Sequence, residues 1–205
     1  MAEKEEKKEE KKEEKREKGA EKAAKKLKGK KWFTILAPQI FDSLEVGKTA
    51  AEEADMVVGR KIKVSLIELV GNFKKYYLKL SFRVTEVMGE QALTEFVGSE
   101  VLADYISRMI HRRNRRLDTV QDLKTKDGKG IRVKTIAVLP RRVKSSVQKS
   151  VREKVLEIVK AEVESSTMDE FVGKMVNDDI RNKVLTEGRK VYPIRNFEIR
   201  KTEVG

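Results

Sequence analysis

Cysteine is absent from this chain of 205 residues, and histidine and tryptophan each occur once. Without cysteine there can be no disulfide framework and no thiolate metal site, so zinc fingers are excluded and nothing requires an oxidising compartment. One histidine leaves little for metal-dependent or nucleophilic catalysis, and the chain contains no nucleophile motif. The composition therefore argues against an enzyme.

Long hydrophobic runs are missing as well. Nowhere do about 18 apolar residues follow one another, as a membrane span requires. The N-terminus also lacks the apolar region that is typical of a signal peptide. We therefore expect a soluble, cytoplasmic protein that does not bind a membrane.

Charge is what the chain has in excess. Charged residues make up 40% of the sequence and give a formal net charge of +13, whereas ordinary globular domains contain roughly 25%. This positive excess favours a polyanionic partner, either nucleic acid or anionic lipid, over a small acidic metabolite. With 39% hydrophobic residues, the chain still has enough apolar side chains for one core.

The first 31 residues differ in composition from the rest. Blocks of Glu and Lys repeat there with a period of four, and Leu27 is the one large aliphatic residue after Met1. This period places like charges four residues apart, which destabilises an isolated helix, and few apolar groups offset the entropy of ordering. We predict a charged tail over residues 1–31 that is disordered when free, followed by a single domain over residues 32–205. The basic end of the tail fits either phosphate binding or solubilisation.

Alternating apolar and polar residues predict a mostly antiparallel sheet. The predicted strands lie within residues 32–41, where Pro38 ends the strand, and within 57–69, 76–87, 117–125, 131–139 and 195–202. In the third of these, Tyr76 is predicted to face the same side as Leu78, and Tyr77 the opposite side. Asp127 and Gly128 lie between the fourth and fifth strands, and this pair predicts a β-hairpin.

Helical spacing predicts several helices that pack on this sheet, and the fold class is therefore α+β. Ser99 is predicted to cap a helix that ends near residue 110, and the longest helix is predicted over residues 143–164. Thr167 and Glu170 form the pattern of a capping box, and a further helix over residues 178–187 is predicted to end before Gly188.

Positive charge gathers in two stretches of the folded part, IHRRNRR at 110–116 and PRRVKSSVQKSVREK at 140–154. Guanidinium groups pair with phosphate oxygens and stack on bases, and lysines add attraction without direction. The helix dipole accounts for part of the first cluster, but cations at the start of a helix are unfavourable and indicate an external anion. A solvated polar face is the alternative. The predicted RNA-binding residues are Lys28, Lys30, Lys31, Arg108, Arg112, Arg113, Arg115, Arg116, Arg141, Arg142, Lys144 and Lys149.

Three other patterns suggest nucleotide binding, acid–base catalysis or metal binding, but the support for each is weaker than for RNA binding. The sequence VGKT at 46–49 matches the end of a nucleotide-binding P-loop, but Asp42 occupies the position of the first glycine and would repel a phosphate. His111 has no evident partner for acid–base catalysis and fits a surface or RNA-stacking side chain. Asp178 and Asp179 fit the first turn of a helix better than a metal pair. We predict no catalytic residue, no metal site and no cofactor.

The sequence patterns of common DNA- and RNA-binding modules are not found. There is no helix-turn-helix spacing, no basic zipper and no signature of an RNA recognition motif. Charge clusters distributed over a small mixed fold fit a protein embedded in a large structured RNA. An RNA-binding or membrane-surface regulatory factor outside such a particle is the alternative, and a P-loop enzyme is the third option.

Three segments resemble the archaeal and eukaryotic S3Ae family of small-subunit ribosomal proteins. They are KKWFTILAPQIFDSLEVGKT at 30–49, VGRKIKVSLIEL at 58–69 and VYPIRNFEIRK at 191–201. The Glu/Lys repeat at the front and the end at Gly205, without the long eukaryotic extension, are similar to an archaeal member. The resemblance implies an α+β fold around a curved, barrel-like antiparallel sheet.

The resemblance also implies a function. Members are structural constituents of the small ribosomal subunit, on its platform near the mRNA exit, with a role in translation and subunit assembly. The implied partners are small-subunit rRNA, in its 3′ part, and neighbouring small-subunit proteins, with mRNA near the exit as a further candidate. One copy per subunit is expected, without a homo-oligomer, in the cytoplasm. No family motif fixes an individual RNA-binding residue.

Overall fold

The computed structural model describes residues 29–205, apart from the side chain of Lys74. The predicted disordered tail falls outside this range, except for its last three residues. The strands within the range are β1 Lys31–Leu36, β2 Glu45–Ala51, β3 Lys61–Ser65, β4 Leu78–Met88, β5 Gln91–Val101, β6 Arg115–Lys124, β7 Gly130–Leu139 and β8 Asn196–Val204. The helices are α1 Leu66–Val70, α2 Ala103–Met109, α3 Ser145–Glu164, α4 Met168–Val176 and α5 Asp179–Gly188. Short 3-10 turns cover Gln39–Phe41, Ala54–Met56 and Phe73–Lys75.

All eight strands join in one open, curved sheet, in which the order β2-β1-β5-β8-β7-β6 is extended by β4 on the other edge of β5 and by β3 beyond it. One edge of β5 pairs with β4 along its length, and the other pairs first with β1 and then with β8. The β1–β5 pair is parallel and the others are antiparallel. The predicted mostly antiparallel α+β fold is therefore confirmed.

Glycine is required where β5 meets β8. A Cβ atom added at Gly98 would overlap the carbonyl oxygen of Thr202, because the two backbones approach closely at this point. Gly98 pairs with Glu203, beside the buried contact of Ser99 Oγ with Thr202 Oγ1 at 2.9 Å. This close approach fixes the position of β8 between β5 and β7.

The main core lies between the sheet and helices α3, α4 and α5. The valine stripe of α3 is buried at Val151, Val155 and Val163, as the sequence predicted, and it packs in one cluster with Phe171 and Phe197. Burying each such side chain stabilises the fold by about 1.5–3 kcal/mol. A smaller core lies between β1, β2, β4 and β5 and contains Phe33, Ile35, Ala51, Val57, Val84 and Ala92.

Local signals predicted several elements correctly. The hairpin of β6 and β7 turns at Gly128, which has φ of 76°. The capping box of α4 is complete, because the Thr167 N–H donates to Glu170 Oε2 at 3.0 Å and the Glu170 N–H donates to Thr167 Oγ1 at 3.3 Å. The hairpin also supports α4, since Asp127 Oδ2 accepts a hydrogen bond from the Met168 N–H at 2.8 Å.

Other predictions were wrong. The predicted strand 57–69 is extended only over β3, because α1 buries Leu66 and Leu69 with helical spacing. Ser99 lies inside β5 and does not cap α2, whose N-cap is Leu102. Tyr76 does not share a face with Leu78, since β4 begins only at residue 78 and Tyr76 remains 42% exposed.

Candidate nucleic-acid interface

The two arginine-rich clusters meet at one end of the sheet. β6 begins and β7 ends there, because Arg115 pairs with Leu139 across the hairpin. The side chains make the contact direct, since Arg115 Nε donates a hydrogen bond to Gln148 Oε1 on α3 at 3.1 Å. We call this surface, formed by residues 108–116 and 140–149, the basic end.

The first part of the basic end is a turn that follows α2. The helix is anchored by Ile106, which is buried, and the turn is closed by the Asn114 N–H, which donates to the His111 carbonyl at 3.1 Å. Arg113 has a φ of 78°, a left-handed conformation that costs a residue with a side chain about 1 kcal/mol. His111, Arg112 and Arg113 are all exposed, so the strained turn holds its charged side chains in solvent.

Some cations of the basic end already have partners within the chain. Arg116 Nε lies 2.8 Å from Asp118 Oδ1, and Lys149 Nζ lies 3.9 Å from Glu153 Oε1. The exposed side chains of the basic end that make neither an ion pair nor a hydrogen bond within residues 29–205 include those of Arg112, Arg113, Arg141 and Arg142. These guanidinium groups repel one another, so an external anion would stabilise the arrangement.

The second part of the basic end leads into α3. This helix begins at Ser145 after Lys144, whose side chain does not cap it, and its first turn contains no acidic residue. The first N–H groups of a helix have no partner within the helix and carry partial positive charge. Arg141 and Arg142 lie directly before this helix start and add fixed positive charge to it. The arrangement is suited to a phosphate or another anion.

Arg108 lies in the last turn of α2, where a cation is favoured by the helix dipole. Its Nη1 donates to the Tyr76 hydroxyl at 3.4 Å. The side chain is exposed and lies on the same helix that leads into the arginine turn. Arg108 therefore forms one border of the basic end.

The structure does not bring Lys30 and Lys31 to the basic end. β1 pairs with the beginning of β5, whereas β7 is joined through β8 to the end of β5 and continues beyond it. The start of β1 and the end of β7 therefore lie at opposite ends of the sheet. Lys31 is exposed and Lys30 half-buried at that other end, and Lys28 lies outside the described residues.

The VGKT stretch is part of a strand. Lys48 pairs with Thr34 of β1 in an extended conformation, and its Nζ lies 3.5 Å from Glu45. A P-loop instead connects a strand to a helix, and its backbone N–H groups surround the phosphates. Residues 46–49 therefore do not have the conformation that nucleotide binding requires.

The two aspartates at the start of α5 serve the protein structure and are not arranged as a metal site. Asp178 Oδ2 lies 2.9 Å from Lys75 Nζ, and Asp179 lies in the first turn of the helix. Asp178 is the N-cap residue, but its side chain makes the ion pair and does not cap the helix. Among the residues that the structure describes, no group of three or more His, Asp or Glu side chains is placed to hold a metal ion.

Comparison with known proteins assigns the chain to a family. The model of the Ribosomal S3Ae family matches residues 18–205. The chain is 37% identical over 181 residues to the small ribosomal subunit protein eS1 of Methanopyrus kandleri, with 86% of each chain covered. It is 36% identical over 177 residues to the proteins of the same name from Sulfurisphaera tokodaii and Methanobrevibacter smithii, with 86% of this chain and 92% of each relative covered.

The chain belongs to the ribosomal S3Ae family. These relatives are archaeal, and the resemblance to an archaeal S3Ae protein is confirmed. Within residues 29–205 of this family member, the helices are too short or too polar to cross a membrane.

A buried ion pair positions the basic end of this S3Ae protein. Glu198 of β8 accepts hydrogen bonds from the Tyr105 hydroxyl of α2 at 3.1 Å and lies 2.9 Å from Nη1 of Arg181 in α5. Burial raises the pKa of the Glu198 carboxyl above its usual range, although Arg181 opposes this shift. The adjacent cavity of about 20 Å³ has room for roughly one water molecule and not for a substrate. The pair therefore joins α2 to α5 and the sheet.

One basic residue of this S3Ae protein was missed from the sequence. The Arg195 N–H donates to the Val138 carbonyl at 2.8 Å, and Val138 pairs with Arg116. Arg195 is exposed and therefore extends the basic end to the start of β8. In the sequence it is an isolated base after Pro193, and only the pairing of β7 with β8 reveals its position.

Proposed function

We propose that this S3Ae protein is a structural, non-enzymatic constituent of the archaeal small ribosomal subunit, and that it binds rRNA through the basic end. The observation that carries the proposal is the convergence of two separate arginine-rich segments, with exposed guanidinium groups that have no partner within the described chain. Relatives that are named small ribosomal subunit protein eS1 support it.

The proposed binding depends on phosphate contacts. Arg112, Arg113, Arg141 and Arg142 present planar donors that match phosphate oxygens in pairs, and the open start of α3 adds backbone N–H groups. Phosphate contacts fix the position of a protein on RNA and carry no sequence information themselves. The bound RNA is therefore selected by its shape, as in a large folded rRNA.

The finer parts of the proposal follow from the family resemblance. They are a location on the platform near the mRNA exit, contacts with the 3′ part of the rRNA and with neighbouring small-subunit proteins, and a role in translation and subunit assembly. Contact with mRNA near the exit is a further candidate. The protein would be present as one copy per cytoplasmic ribosome, without forming a homo-oligomer. Lys28, Lys30 and Lys31 would contact a separate part of the RNA, because the last two lie at the opposite end of the sheet.

The test compares two variants of equal charge. In the first, Arg112, Arg113, Arg141 and Arg142 are replaced by Ala; in the control, Lys61, Arg83, Lys124 and Lys126 are replaced by Ala, which are exposed and lie away from the basic end. Each lost phosphate contact removes nearly one released counterion, so the slope of log affinity against log salt should fall by roughly three in the first variant. The control should change it little.

Filter binding of small-subunit rRNA at several salt concentrations measures both slopes. Equal changes in the two variants would mean that binding responds only to net charge and would remove the basic end from the proposal. Sedimentation of cell extracts in high salt tests the ribosomal assignment: the protein should migrate with small subunits. A free or membrane-bound pool would instead indicate a regulatory factor outside the ribosome.

A further inference from the structure

A strip of exposed aromatic side chains borders the basic end. Phe73 is 79% exposed and Tyr76 is 42% exposed, and Val70 at the end of α1 is 49% exposed. Phe73 and Tyr76 are three residues apart across a single 3-10 turn, a spacing that places two side chains on the same side. Single exposed apolar residues are common, but neighbouring ones are a candidate for an interaction surface. We call Phe73 and Tyr76 the aromatic strip.

The turn that carries the aromatic strip is anchored to the interior of the protein. Lys75, between its two members, points inward and forms an ion pair with Asp178 at 2.9 Å. Tyr76 meets the ring of Tyr77 edge to face, with ring centres 5.9 Å apart. Tyr77 in turn is stacked flat on Tyr105 at 3.7 Å. These contacts fix Tyr76 and the backbone of the turn before any partner binds, which lowers the entropic cost of binding.

The surroundings of the strip favour nucleic acid as its partner. Arg108 Nη1 donates to the Tyr76 hydroxyl, which places a guanidinium group at the edge of the strip. Three residues after Arg108, beyond the end of α2, the chain reaches His111 and Arg112 of the basic end, both exposed. Aromatic rings beside guanidinium groups are the combination that binds unpaired bases, by stacking on the base and pairing with its phosphate.

We propose that Phe73 and Tyr76 stack on unpaired bases of the RNA whose phosphates are bound by the basic end. The RNA element bound here thus carries a loop, a bulge or a single strand directly beside a helical part. This inference rests on the proposed function, since it concerns the same RNA, but it makes a separate claim about the type of RNA recognised.

The test uses two fluorescent RNA probes with the same stem, one closed by an unpaired loop and one a blunt duplex. Phe73→Ala should weaken binding of the looped probe by the full chain about tenfold and leave the duplex unchanged, because one stacked base is lost. The salt slope should stay the same, since stacking releases no counterions. Phe73→Leu keeps an apolar side chain without a ring and should lose as much as Ala, whereas Phe73→Tyr should bind normally.

The outcomes separate this inference from the proposed function. If replacing the four arginines weakens both probes while Phe73→Ala changes neither, stacking is refuted and rRNA binding by the basic end stands. If the arginine variant also leaves both probes unchanged, the proposed function fails as well. Normal binding by Phe73→Leu would refute stacking, and a Phe73→Ala variant that binds RNA normally but does not enter small subunits would assign the strip to a protein neighbour. Thermal melting should be unchanged in all Phe73 variants, because the side chain is exposed.

Discussion

Replacement of Glu162 by Gln tests the buried contact at which three helices meet. The Glu162 side chain on α3 accepts hydrogen bonds from Lys174 of α4, at 3.1 Å, and from Lys183 of α5. Burial opposes ionisation of this carboxyl, but the two ammonium groups outweigh burial and hold the pKa of Glu162 below its usual range. Glutamine keeps the shape of the side chain and removes the charge, so both ammonium groups would lose their anion.

The size of the effect follows from the exposure of the partners. Breaking a fully buried ion pair costs about 3–5 kcal/mol. The side chains of Lys174 and Lys183 are 32% and 53% exposed, so water can solvate them after the substitution. We therefore expect Glu162→Gln to lower the free energy of unfolding at pH 7 by about 2 kcal/mol and the Tm by roughly 4–8 °C.

The pH dependence gives the contact a distinct signature. Because the pKa of Glu162 is lower in the folded than in the unfolded chain, its stabilisation is present above the unfolded-state pKa and is lost as the pH falls through the folded-state pKa. Urea unfolding of the wild type and Glu162→Gln should therefore differ at pH 7, and the difference should shrink as the pH falls below about 4.3, the usual pKa of a glutamate. Glu164→Gln is the control, because Glu164 is exposed and its ion pair with Lys160, at 3.8 Å, is exposed as well. Equal losses for the two variants, or a difference that persists in acid, would refute the argument.

Three further substitutions test other parts of the fold. Gly98→Ala should lower the free energy of unfolding by about 2 kcal/mol, because the added methyl group would overlap the Thr202 carbonyl, whereas Gly47→Ala meets open space and should be nearly neutral; calorimetric melting compares the two. Phe171→Ala removes a fully buried ring and should lower the free energy of unfolding by about 3–5 kcal/mol in urea titrations. Lys48→Ala should leave nucleotide titrations of the isolated chain without a signal, as in the wild type, and ATP binding that this variant abolished would contradict the strand assignment of residues 46–49.

Elements with strong local signals could be predicted from the sequence. The valines of α3 recur at helical spacing over the whole helix, and that period outweighed the low helix propensity of valine. The turn at Gly128 needs a positive φ that glycine adopts freely, and the capping box of α4 has its full pattern within four residues. In each case the residues that specify the element are neighbours in sequence, so the pattern and the structure report the same interactions.

Features that depend on pairing between distant segments could not be predicted. β5 has a mixed pattern because the register of its pairing with β4 shifts between Phe96 and Gly98, and Ser99 therefore looked like a helix cap although it is buried against Thr202. The charge clusters were visible in the sequence, but their union depends on the register that places Arg115 opposite Leu139. The same dependence concealed Arg195, whose position is set by a strand that begins one residue later.

The position of β8 has a consequence for the synthesis of the protein. This strand follows all the others in sequence, yet it lies between β5 and β7 and is the link between the two halves of the sheet. Until residues 196–204 have been translated, no strand pairing joins the two halves of the sheet and Glu198 cannot hold α2 in place. The proposed RNA-binding surface should therefore form only late in synthesis, so that an unfinished polypeptide would capture little nucleic acid.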